Sequence, residues 1–116
     1  MLEPQKVNPT HYDGDACMQK IASICRACRG DIAACFTLAI KHLWRAGIKQ
    51  GESFETDVGK ALWYDTYLKR IAPEAEMTSY ERSVAAVIRL AADQTRAERT
   101  REIIRDLREP SPEHMR

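Results

Sequence analysis

The sequence predicts a single small all-α domain of about four helices, the last of them long. Three observations predict it. Apolar residues recur at spacings of three and four, no stretch alternates apolar with polar as a half-buried strand would, and Gly, Pro and capping residues interrupt the pattern at helix-length intervals. A chain of 116 residues suits one core, and no internal repeat or low-complexity tract divides it.

Residues 1–14 hold Pro4, Asn8, Pro9 and Gly14 without an apolar period, so they are expected to form an extended arm. The helical domain follows over 15–108. Its first helix is expected from Asp15 to Arg29, with Cys17, Ile21, Cys25 and Cys28 along one face, Gly30 closing it and Asp31 capping the next. The second, Ile32 to Ala46, has the clearest stripe: Ile32, Cys35, Phe36, Ala39, Ile40 and Leu43, with Gly47 as its C-cap. The third runs from Ser53 to Ile71 and buries Phe54, Val58, Ala61, Leu68 and Ile71, while Glu55 and Asp57 complement the dipole of its first turn. Pro73 ends it.

Thr78 and Glu81 form a capping box that opens a C-terminal helix over 78–108. Because Ala92 to Arg101 is almost wholly polar, that helix either projects into solvent or bends before Ile103, Ile104 and Leu107, which are free to meet another subunit. Pro110 and Pro112 leave a flexible tail over 109–116.

Composition limits the function classes. Lys and Arg number 18 against 17 for Asp and Glu, so no generic attraction to nucleic acid or to a membrane surface is expected and any anion site must be local. The longest apolar-looking stretch, Ile32 to Trp44, is too short to span a bilayer, and the first residues lack a signal peptide's apolar segment, which together point to the cytoplasm. Four cysteines on predicted helix faces read as reduced, buried thiols, and no metal site is expected from them.

Two cationic and aromatic groups stand out. Lys41 and Arg45 are four apart on the second helix, with His42, Trp44 and Lys49 nearby, and could grip a phosphate or form an ordinary solvated face. Leu38 and Trp44 on that outer face would favour a ligand or a subunit cover. On the third helix Lys60, Trp63 and Tyr67 form an outward stripe able to stack a base, with Tyr64 nearer the core edge. His11 and Tyr12 could close over such a site. There is no Gly-rich phosphate loop, nucleophile elbow or His-Glu-x-x-His run.

Three segments, Asn8-Pro9-Thr10-His11-Tyr12, Ala39-Ile40-Lys41-His42-Leu43-Trp44-Arg45-Ala46-Gly47 and Asp57-Val58-Gly59-Lys60-Ala61-Leu62-Trp63-Tyr64, resemble the SaV-like family of small phage proteins over residues 7–71. The resemblance implies nucleotide metabolism in a bacterial host's cytoplasm, because one podophage member is a nucleoside monophosphate kinase that acts on dTMP and dGMP without a phosphate-binding loop. It implies Lys41, Arg45 and Lys60 as catalytic cations that neutralise phosphates, and ligand binding by His11, Tyr12, His42, Trp44, Lys49, Trp63 and Tyr64. ATP or another nucleoside triphosphate would be the donor, with the Mg requirement left open, and a homo-oligomer is expected. Thr37-Leu38 stands where the family usually has Gly-Asn, and His42 where a Tyr is common. A non-catalytic nucleotide-sequestering module, directed against host defence, and a helical adaptor are the alternatives.

Overall fold

The computed structural model describes residues 13–48 and 51–112. Five α-helices make up the domain: α1 (Gly14–Cys25), α2 (Gly30–Arg45), α3 (Phe54–Ile71), α4 (Ser79–Ala92) and α5 (Ala97–Arg105), with a short 3-10 turn at Glu74–Glu76. No strand occurs among the described residues. The expected arm, apart from Asp13 and Gly14, lies outside them, as do the last four residues of the tail.

The centre of the fold is α2, which touches each of the other four helices. Its expected stripe of Ile32, Cys35, Phe36, Ala39, Ile40 and Leu43 is buried and meets Ile21 and Ile24 of α1, Ala61 and Leu68 of α3, and Val84, Ala85 and Ile88 of α4 in one core. An apolar side chain removed from water in this way contributes about 1.5 to 3 kcal/mol. The turn after α2 is also fixed: Ala46 has φ −58° and ψ 128°, Gly47 has φ 80°, and the Ile48 amide donates to the Arg45 carbonyl at 2.9 Å. These are the angles of a type II turn, which needs glycine at its third position. A Cβ on Gly47 would lie 2.9 Å from the Cβ of Ala97, so the same glycine lets α5 start against this corner.

Three expectations are corrected. The C-terminal element is not one long helix, because α4 stops at Ala92 and α5 begins at Ala97. The polar run Asp93-Gln94-Thr95-Arg96 has nothing to bury and turns there. Thr100 fixes the corner by donating from its hydroxyl to the Ala91 carbonyl at 2.8 Å inside the core. The turn folds α5 back, so Ile103, Ile104 and Leu107 are buried in their own chain rather than free for another. Arg101 then donates to the carbonyls of Trp44 and Ala46, tying α5 to the end of α2.

The junction of α1 and α2 also differs. α1 ends at Cys25, four residues before Arg29, and Gly30 is the first residue of α2 rather than a cap. Arg29 occupies the N-cap position without a side-chain cap of its own. Glu81 supplies the missing acceptor from α4: its Oε1 accepts from the Thr78 amide at 2.8 Å, completing the expected capping box, and its Oε2 accepts from the Arg29 amide at 2.9 Å. One buried carboxylate thus serves two helix starts. The third correction, at Val58 and Ile71, is a matter of register. The buried face of α3 runs through Asp57, Ala61, Asp65 and Leu68, leaving Val58 half-buried and Ile71 at the surface.

Replacing Glu81 with Ala leaves both amides without acceptors and is expected to cost about 2 to 4 kcal/mol in urea unfolding, against about 1 kcal/mol for Thr78→Ala. Equal costs for the two variants would show that the link to Arg29 contributes nothing.

Candidate functional site

The long antiparallel contact of α2 and α3 follows from their core faces, and it also brings polar groups together along one edge. Asp57, in the first turn of α3, has no exposed surface. Its Oδ1 lies 3.1 Å from His42 Nδ1 and 3.5 Å from Arg45 Nε, both on α2. The first contact is a hydrogen bond, with the Nδ1 proton donated to the carboxylate. The second is an ion pair without hydrogen-bond geometry, which leaves Arg45 Nε buried without a hydrogen-bond partner; the other carboxylate oxygen, Asp57 Oδ2, is likewise buried and unpartnered. Arg45 Nη2 also lies 3.3 Å from His42 Nδ1. Once Nδ1 carries its proton toward Asp57, this is proximity and not a bond, because a protonated ring nitrogen cannot accept.

Burial holds the His42 pKa below its ordinary value; the hydrogen bond to Asp57 opposes this, and the Arg45 charge adds to it. A neutral imidazole with its proton on Nδ1 follows. The ring stacks on Tyr64 at 5.9 Å and 10° between planes. Tyr64 meets Trp63 edge to face at 5.1 Å, and Trp63 stacks on Tyr67 at 5.7 Å and 6°. A ladder of four rings therefore runs from the core to the surface, where Trp63 is 60% and Tyr67 40% exposed. An indole left that open beside a second aromatic ring is a ready platform for another planar group.

The residues singled out by sequence are only partly gathered here. His42, Arg45, Tyr64 and Trp63 share the seam. Lys60 is on the same outward face of α3 as Trp63 and donates to Glu52 at 2.8 Å. Lys41 makes no hydrogen bond or ion pair among the described residues, and its charge acts both on Cys17 of α1 and on His42. Arg45, one turn further on, faces Asp57 instead. Trp44 is 2% exposed rather than on an outer face, because α5 covers it and the Arg105 guanidinium lies 5.4 Å from its ring centre. Leu38 is half-buried. His11, Tyr12 and Lys49 lie outside the described residues.

Asp57 is the residue that reading by pattern missed. An acid in the first turn of a helix is ordinarily a dipole complement at the surface. The available signal was its spacing of four from Ala61 and eight from Asp65, which places it on the buried face. Asp65 is the second such acid, buried and paired with Arg89 of α4 and Lys69. All four cysteines are free, Cys17 and Cys35 buried and Cys25 and Cys28 half-buried, and desolvation pushes Cys17 up to about 11 and Cys28 up to about 12. Among the described residues no helix is long and apolar enough to cross a membrane.

Comparison with known proteins bears on the same chain. Its sequence is similar to phage proteins. It is 41% identical over 51 residues to the SaV protein of Lactococcus phage p2 and, to the same extent, to that of Lactococcus phage SK1. The match covers 43% of this chain and 40% of the length of each relative. No family model matches the chain, and no solved structure matches it.

The depressed His42 pKa sets a pH dependence. The unfolded chain binds more protons than the folded one between the folded value and about 6.5, so stability falls as pH drops below about 6.5. Wild type is expected to lose more melting temperature than His42→Asn between pH 7.5 and 5.5. Parallel profiles for the two proteins would contradict a neutral, buried His42.

Proposed function

We propose that this chain is a phage nucleotide-metabolism protein that binds a nucleoside monophosphate along the α2 and α3 seam. The observation that carries the reading is the open Trp63 and Tyr67 stack, continuous through Tyr64 with the buried His42, Asp57 and Arg45 cluster. A base stacks on the indole, and Lys60 and Arg45 meet the phosphate. Base stacking on an aromatic side chain is worth about 1 to 3 kcal/mol. The resemblance to the SaV-like family adds phosphoryl transfer to a dTMP- or dGMP-like acceptor from ATP or another nucleoside triphosphate. That transfer needs positioning and charge neutralisation more than a nucleophilic side chain.

A second reading is favoured by a specific observation. Glu52 already holds Lys60 and Asp57 already faces Arg45, so much of the seam's positive charge is matched before any phosphate arrives. A seam of that kind suits binding without transfer, as in a nucleotide-sequestering protein.

Isothermal titration calorimetry with dTMP and dGMP tests the site. Trp63→Ala is expected to weaken binding about tenfold or more, in line with the loss of one stacked base, while leaving the melting temperature close to wild type because the indole is exposed. Unchanged affinity in that variant would overturn the seam as the site. Chromatography of mixtures with ATP and Mg then separates the readings: a nucleoside diphosphate product supports transfer, and tight binding without product supports sequestration.

A further inference from the structure

Away from the seam, α1, α2, the end of α5 and the chain after it enclose an open cavity of about 310 Å³ lined by Asp13, Gln19, Lys20, Trp44, Arg105 and Glu109. We infer that this cavity is a second ligand site, which takes the phosphate group of a small molecule between Lys20, Arg105 and the Trp44 indole N–H. The inference stands independently of the seam, since none of these residues belongs to it.

Three observations point to an anion. Trp44 is 2% exposed, yet its Nε1–H has no hydrogen-bond partner. A buried donor left unmade costs about 1 to 3 kcal/mol, and such groups call for a specific explanation. Next, α5 brings Arg101 and Arg105 together one turn apart, and neither forms a salt bridge among the described residues. Arg101 spends its Nη1 on two carbonyls; burial and the Arg105 charge lower its pKa, and the Glu98 carboxylate opposes them in part. A cation pair matched only in part favours a nearby anion. Finally, donor-bearing side chains line the cavity from three helices: Lys20 from α1, Trp44 from α2 and Arg105 from α5. Donors approaching from different directions suit the several oxygens of a tetrahedral oxyanion.

The two acids offset the cations only in part. Asp13 spends Oδ1 on capping α1, accepting from the Ala16 amide at 3.0 Å, and Glu109 is exposed to solvent, which screens its charge. Lys20 donates to the Leu107 carbonyl at 2.8 Å, which fixes its ammonium at the cavity and leaves two further donors. Arg105 lies over the indole. Drawing its guanidinium toward an anion uncovers the ring, so one movement satisfies both the indole donor and the arginine pair.

Trp44 reports on its own cavity once the other tryptophan is removed, since the chain has two. Trp63→Phe protein is titrated with inorganic phosphate and with ribose 5-phosphate against sodium chloride of equal ionic strength. A saturable change in Trp44 emission with either phosphate, absent with chloride, is expected. A tighter response to ribose 5-phosphate marks an organic phosphate as the ligand, and an equal response marks phosphate itself. Arg105→Gln in the same background is expected to weaken the response at least tenfold. Glu109→Gln is expected to tighten it about two- to fivefold by removing that carboxylate's repulsion. No saturable change would overturn the inference. So would a folded Arg105→Gln protein with undiminished affinity, or a Glu109→Gln protein with unaltered affinity.

Discussion

A carboxylate closed off from water must be matched by charge or by donors, and Asp57 takes both from the neighbouring helix. His42 and Arg45 are three residues apart on α2, and both turn to the one acid that α3 places in their path. This junction sets where α3 lies along α2 near the start of its first turn, while Ala61 and Leu68 set the packing farther down. His42 in turn fixes Tyr64 by stacking, and Tyr64 carries Trp63 and Tyr67 on its edge. The surface platform is therefore anchored to a buried ion pair rather than to a loop. Two members of the cluster, Asp57 Oδ2 and Arg45 Nε, still lack hydrogen bonds, so the arrangement is costlier than an apolar contact of the same size.

Glu81 performs a comparable task at the opposite end of the core. It caps its own helix and that of α2, linking the two across the chain. Asp65 forms the third such link, between α3 and Arg89 of α4. Buried acids that join helix pairs give this small domain a register that hydrophobic stripes alone would leave loose. α5 adds a different kind of closure. It covers Trp44 and the open side of α2, converting an aromatic residue that pattern assigns to the surface into part of the core. Trp63 is then the tryptophan left open to solvent.

Much of the fold was legible because local signals agreed with it. The stripe of α2, the Thr78 cap, and glycine at the Gly47 turn all carry through to the structure. What escaped were features set by contacts distant in sequence. The end of α1 and start of α2 depend on Glu81, some fifty positions away. The bend after Ala92 depends on whether Ile103, Ile104 and Leu107 find α2, and a polar run by itself fits either outcome. The candidate site was legible in its aromatic half, because Trp63 and Tyr67 lie outward on α3 as their spacing says. Its charged half was less legible, because Asp57 reads as a surface acid and no local signal shows that Arg45 faces it.

Asp57 joins α2 to α3 through Arg45, and a double-mutant cycle of Asp57→Asn and Arg45→Met, followed by urea unfolding, measures that junction directly. Removing one partner of a buried pair costs about 3 to 5 kcal/mol. Each single variant is expected to be strongly destabilised, and the double variant to recover at least about 1.5 kcal/mol of the summed loss. Additive effects within about 0.5 kcal/mol would contradict the junction, showing that Asp57 and Arg45 are neighbours without being coupled.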